Sequence, residues 1–305
     1  MGVAIKTVAL NAANEYHQNV AFDGLIYNDF YGVAGFNASF AESGYHPFKG
    51  LQVAVHAFQA NPGEIYIESY STLTGPGGSA TYVDVWVTLV AWLYEGGAIP
   101  YANYGFYAWP WLLEGRSVET NLLRPVTQEA HRAAFMRGCQ LEFASGAFGL
   151  NNLRTEVDAD ILENDAAVRL TTEGALYNAN RANAGTVYAA PGYLALFSDE
   201  LLQMREFTTK GDDTSQTVSF DKPIESAGVL LAGFDNHLED PGQEVPIEQL
   251  AFGCVSDVAV DGTSASYTLG AGMYFEKGEA TPADTWTNSV ITLAAFKRAT
   301  ESGSG

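Results

Sequence analysis

The chain has 305 residues, 47% hydrophobic and 12% aromatic, enough apolar side chains for two or three packed domains. Against 36 Asp and Glu stand only 15 Lys and Arg, a net charge of -21; such a field repels phosphate backbones and anionic lipid and argues against nucleic acid and membrane partners. Two cysteines, Cys139 and Cys254, form no CxxC pair, which excludes a zinc ribbon or dithiol redox motif and predicts two buried free thiols.

In chain order, the opening MGVAIKTVALNAANEY has one lysine and no sustained apolar core, so no signal peptide is read there. Val20–Phe22 and Tyr31–Phe36 read as short strands. Leu51–Phe58 alternates, with Leu51, Val53 and Val55 on one face, and Glu64–Tyr70 follows the turn Asn61-Pro62-Gly63. Thr74–Gly78, rich in Gly and Pro, is a loop. Tyr82–Trp92 alternates again. The apolar stretch Val83–Leu113 is interrupted by Asp84, Glu95, Gly96-Gly97 and Pro110, so it is too broken for a membrane span.

Residues 98–203 differ in character. They open on the aromatic cluster Tyr101, Tyr104, Phe106, Tyr107, Trp109 and Trp111. Thr127 reads as the N-cap of a short helix running to Arg137, with Gly138 as its stop, and Ser198–Met204 as one more helical turn. This segment is expected to be a connector or insertion. Residues 204–298 again carry strands, at Val229–Phe234, Leu250–Val260, Ser266–Phe275 and Trp286–Phe296. The tail 299–305, small and polar, is expected to be disordered.

An internal match ties the outer segments together. Gln18, Val20, Phe22, Asp23, Ile26, Ala34, Gly35, Phe36 and Gly44 recur at one offset as Gln216, Val218, Phe220, Asp221, Ile224, Ala232, Gly233, Phe234 and Gly242. One step along, Pro47 and Leu51 match Pro246 and Leu250, and Val87–Trp92 echoes Ile291–Phe296. A gapless match of this length indicates a duplicated module. The expected class is therefore all-β, with two related antiparallel β-sandwich modules (1–97 and 204–298) joined by a mixed middle segment (98–203) with a short helix.

The order of features in each module resembles an H-type lectin domain. The residues concerned are Val218-Ser219-Phe220, Val229–Asp235 and Val290–Phe296 in one copy, and Val20-Ala21-Phe22, Val33–Asn37, Gly63–Ile67 and Val87–Trp92 in the other. The resemblance covers about two thirds of the chain. It implies a six-stranded sandwich that assembles in threes. The family's sugar site, an acidic residue and an arginine beside a Trp-x-Asp strand, has no counterpart at Glu68–Ser71 or Met273–Lys277, so its ligand contacts do not carry over. Two such modules in an acidic chain look like a phage virion component: a tail fibre, spike or capsid-associated protein.

No nucleophile elbow, phosphate loop, HExxH or dinucleotide fingerprint occurs, and the five histidines lack metal-ligand spacing, so no catalytic residue, metal or cofactor is expected. Asp158, Asp160, Glu163 and Asp165 offer oxygen ligands for calcium, but without EF-hand spacing they read first as a solvated acidic loop. Asn37 and Ser39, and Asp235, Asn236 and His237, follow the two Gly-Phe pairs on expected loops, as binding or ordinary turn residues. Trp109 and Trp111 are candidates for a sugar platform, a subunit interface or a core. The reading is a non-enzymatic virion protein, located in the particle, acting in assembly and host-surface glycan attachment. Its expected partners are further copies of itself (a homotrimer or higher), other virion proteins and a glycan. A coat shell of tandem barrels and a polysaccharide-degrading enzyme are the alternatives.

Overall fold

The structure, a computed structural model, describes residues 2–11, 16–40, 46–78, 80–94, 102–106, 111–122, 131–162, 166–196, 200–210, 214–270, 272–275, 279–280 and 286–296. The expected tail, Trp109, Glu163, Asp165 and the Thr127 cap lie outside these residues. Antiparallel strands account for about three quarters of what is described. The first set is β1 (Gly2–Leu10), β2 (His17–Ala21), β3 (Leu25–Ser39), β4 (Gly50–Asn61), β5 (Glu64–Ser69), β6 (Thr72–Thr74) and β7 (Ala80–Tyr94). The second is β8 (Ala102–Phe106), β9 (Leu112–Leu113), β10 (Ser117–Asn121), β11 (His131–Glu142), β12 (Asn152–Ile161), β13 (Ala167–Tyr177) and β14 (Thr186–Leu196). The third is β15 (Leu202–Lys210), β16 (Ser215–Ser219), β17 (Ile224–His237), β18 (Gln249–Gly253), β19 (Ala259–Asp261), β20 (Ser264–Thr268), β21 (Gly272–Phe275), β22 (Glu279–Ala280) and β23 (Trp286–Phe296).

The described part of the expected helix ending at Arg137 is not helical. From His131 onward that stretch is strand β11, and the helical elements among the described residues are short 3-10 turns at Pro76–Gly78 and Ala179–Arg181. Ala133 and Ala134 favour a helix by only tenths of a kcal/mol, roughly, per residue. Burial of Phe135, Met136, Cys139 and Leu141 between the neighbours β14 and β4 outweighs that preference. Leu202–Met204, expected as a helical turn, likewise belongs to strand β15.

The same plan appears in all three sets. A long strand (β3, β11 or β17) pairs with a closing strand (β7, β14 or β23), whose other edge takes an opening strand (β1, β8 or β15). Each long strand carries a bulge at the same place, between Val33 and Gly35, Met136 and Gly138, and Leu231 and Gly233. The described strands between residues 102 and 196 therefore form a repeat of the same kind as the two outer ones. The partners across the bulges, Val87, Pro191 and Val290, show that Val87 corresponds to Val290. The echo of Val87–Trp92 in Ile291–Phe296 is thus displaced by one residue, a slip that exchanges the two faces of a strand.

The repeats exchange strands in a closed cycle. Strand β4 of the first repeat pairs with β11 of the second, β12 of the second with β17 of the third, and β18 of the third with β3 of the first. Beside these ladders lies a ring of backbone hydrogen bonds. The Phe48 and Phe148 amides and carbonyls bond reciprocally at 2.7 and 2.9 Å, Leu150 and Val245 at 2.7 and 3.0 Å, and His46 and Ile247 at 3.1 and 3.2 Å. Phe48, Leu150 and Ile247 occupy equivalent positions and are fully buried. The arrangement is a pseudo-threefold, in which one hydrophobic core draws Phe36, Leu51, Leu141, Leu153, Phe234 and Leu250 from all three repeats.

Glycine at each bulge makes the exchange possible. A Cβ at Gly35 would lie 2.3 Å from the Cys254 carbonyl oxygen, one at Gly138 2.6 Å from that of Val53, and one at Gly233 2.9 Å from the Glu156 side chain. Only a residue without a side chain lets the crossing strand of another repeat come so close.

Candidate functional site

The residues singled out by sequence do not converge. Asn37 and Ser39 lie near the end of β3, and Asp235, Asn236 and His237 at the end of β17, all within paired strands rather than loops. Their ladder partners differ: Asn37 faces Ala251 and Asp84, whereas Asp235 faces Arg154 and Thr287. The Asn37 side-chain oxygen accepts a hydrogen bond from Gln249 Nε2 at 2.6 Å. Asp235 stands 3.5 Å from His237 Nδ1, and Asn236 is fully buried, so it cannot meet a ligand from solvent. Trp111 is half-buried against the second bulge, where a Cβ at Gly138 would come within 2.7 Å of its ring. This is packing at a seam between repeats. Asp158 and Asp160 are exposed on strand β12 rather than in a loop, and the described residues contain no cluster of three or more metal-ligating side chains.

The three seams are equivalent in position but not in content. Each is walled by the early part of one long strand and the bulge of the next. At the seam of the first and second repeats, the bulge residue Arg137 lies over the Tyr31 ring with its guanidinium carbon 4.3 Å from the centroid, and it donates a hydrogen bond to the Tyr31 hydroxyl. The Tyr31 hydroxyl in turn donates to the Val55 carbonyl at 3.2 Å. Burial lowers the Arg137 pKa, against which the Tyr31 oxygen acts in the opposite direction. This pair fills the seam.

At the seam of the third and first repeats the strands themselves close the gap. The position of Tyr31 is taken by Val229, whose amide donates to Thr88 Oγ1 at 3.1 Å and whose carbonyl accepts from it at 2.6 Å. The neighbouring Gly228 admits this approach, since a Cβ there would meet Thr88 Cγ2 at 2.6 Å and Ile5 Cγ2 at 2.7 Å.

The seam of the second and third repeats has neither device. Ala134 stands where the first repeat has Tyr31, Ala232 where the second has Arg137, and Ala133 where the third has Gly228. The result is a cleft of about 390 Å³, comparable to a small-ligand site. Its floor is apolar, with Ala134, Val157, Ala232 and Val290. Its polar groups are Arg132, Glu156, Asp158, Glu206, Thr208 and Ser289. Glu156 is already engaged by Arg154 at 2.9 Å, and Arg154 also reaches Glu173 at 3.0 Å. The Glu206 carboxyl titrates above the usual range, first because the cleft wall strips it of water and then because Asp158 adds a like charge, while His131 pulls the other way.

The chain matches no protein-family model, and no curated protein matches it at a significant level. No helix among the described residues is long and apolar enough to cross a membrane. Arg132 and Glu206 were not singled out in the sequence. Only the comparison of Ala134 and Ala232 with Tyr31 and Arg137 reveals the cleft, and that comparison requires the second, middle repeat to be recognised.

Proposed function

We propose that this chain is a non-enzymatic structural protein of a phage particle, a tail fibre, spike or capsid-associated component, which acts as a preassembled threefold block. The observation that carries the reading is the cyclic strand exchange, in which β4, β12 and β18 each cross into another repeat. A body of this kind offers three similar outward faces without requiring three chains to find one another. It suits a position among three equivalent neighbours in a symmetric assembly. The threefold that the lectin-like resemblance implies between chains has its counterpart here within one chain. Attachment to a host-surface glycan is the accompanying role in this reading, with multivalency raising the avidity of weak single sites.

Electron microscopy and native mass measurement of the purified chain test the reading, together with a panel of bacterial surface polysaccharides. Discrete monomers or small rings, with saturable binding and no turnover, are the expected result. Closed shells would favour the coat alternative. Polysaccharide cleavage lost on Asp158→Asn would overturn the non-enzymatic reading in favour of an enzyme using the cleft carboxylates.

A further inference from the structure

We infer that the cleft between the second and third repeats is a binding site for a guanidinium group on an apolar or aromatic body, as an arginine-bearing segment of a partner protein presents it. This inference stands on the cleft and does not rest on the particle reading.

The molecule contains its own template for the ligand. At the equivalent seam, the space between two repeats is filled by a guanidinium stacked on a ring, Arg137 on Tyr31. The equivalent strands wall the open cleft, but with different occupants and a different rim. First, Ala134 and Ala232 remove the occupants and leave the volume empty. Second, the β12 rim becomes acidic, because Glu156 and Asp158 occupy the places held by Ala54 and His56 on β4, while Arg132 stands across the cleft where the first repeat has Asp29. Glu206, from β15, adds a second carboxylate to the same rim.

Charge and shape select the same chemistry. Glu156 is engaged by Arg154, so Asp158, whose Oδ1 accepts from the Ala159 amide, and Glu206 are the lining carboxylates without a cation in ion-pair contact, and Arg132 is the single cation among the lining residues. Both carboxylates line the cleft, and the like charge of Asp158 adds to the desolvation of Glu206, with His131 acting the other way; a bound cation relieves both. A guanidinium meets two carboxylates with planar, forked hydrogen bonds, and its weak hydration lowers the cost of entering a half-closed cleft. The apolar floor of Val157 and Val290 takes the methylene stem. The net charge of -21 steers a basic segment toward the surface.

The test uses the full chain and three probes: acetyl-arginine amide, the isosteric acetyl-citrulline amide, and methyl glucoside. Titration followed by NMR or calorimetry should give saturable binding of the arginine probe, with the citrulline probe about tenfold weaker or worse, the usual effect of losing a charged hydrogen-bonding partner. Asp158→Asn with Glu206→Gln should weaken the arginine probe by a similar factor. Ala134→Tyr with Ala232→Arg should rebuild the plug of the first seam and abolish binding. Should that variant fail to fold, Ala232→Arg alone and the carboxylate pair variant carry the test. Equal affinity for arginine and citrulline probes, unchanged binding in the plugged variant, or no saturable binding at all would overturn the inference. Binding of the glucoside in preference to the arginine probe would also overturn it and return the cleft to a glycan role.

Discussion

Phe36 of the first repeat and Phe234 of the third, equivalent residues far apart in the chain, meet edge to face with ring centroids 5.5 Å apart. Phe252, on the crossing strand β18, stacks on Phe234 at 4.3 Å and touches Phe36 at 5.8 Å. The duplicated Gly-Phe pairs thus mark two positions around a common axis, and their rings hold together two repeats that the sequence separates by a third.

Phe234→Ala should therefore cost about 3–5 kcal/mol, the usual range for removing a buried aromatic ring. Phe36→Ala should behave alike. The double variant should be less destabilised than the sum, because each single change already breaks the shared cluster. Urea unfolding of the three variants measures both effects.

The bulge glycines predict a sharp asymmetry among glycine substitutions. Gly35→Ala would drive a methyl group into the Cys254 backbone, 2.3 Å from its oxygen and 2.5 Å from its nitrogen, and backbone cannot move aside as a side chain can. The expected loss is at least about 3 kcal/mol, or failure to fold. Gly24→Ala is the control: its Cβ would meet Leu93 atoms no nearer than 3.5 Å, and it should change stability by less than about 0.5 kcal/mol. Thermal unfolding of the two variants decides the matter.

Glu206 gives a pH signature. Its folded-state pKa is raised above the ordinary 4.5, so the folded protein binds more protons than the unfolded chain in the window above that value, and stability falls as pH rises through it. Asp29, Asp84 and Glu114, each raised chiefly by burial, act with the same sign. Glu206→Gln should be the more stable protein at about pH 7, by less than about 1 kcal/mol given the residue's contact with solvent, and the gain should vanish below about pH 4. Urea midpoints at the two pH values provide the measurement.

The thiols should be silent in the native state. Cys139 and Cys254 are buried, and burial pushes their pKa values up to about 12 and about 11. A thiol-reactive dye at about pH 8 should label neither until denaturant is added, whereupon both react. Rapid labelling of the native protein would show that one of the cores opens locally.

How far the fold was legible in the sequence follows from particular residues. Leu51, Val53 and Val55 alternate with Gln52, Ala54 and His56 and form strand β4, and the recurring Ala-Gly-Phe triplets locate β3 and β17. The middle copy went unseen because its triplet is Arg137-Gly138-Cys139, with only the glycine retained. Its alanines then suggested a helix that burial in a sheet overrode. The binding residues were less legible still. Asn37 and Asp235 attracted notice as polar residues after a motif, yet the cleft is defined by what is missing, at Ala134 and Ala232.

By itself the sequence determined the all-β class, the kinship of the two outer repeats, the free thiols and the acidic surface. These follow from alternation, turn residues and composition, which act over a few neighbours or over the whole chain at once. Tertiary structure decided the rest: that β4, β12 and β18 pair outside their own repeats, and that one of three equivalent seams stays open. A strand's side-chain pattern specifies its two faces but not which edge it will join. That choice depends on which long strand offers a free edge beside a glycine, and it is made only when all three repeats are in place.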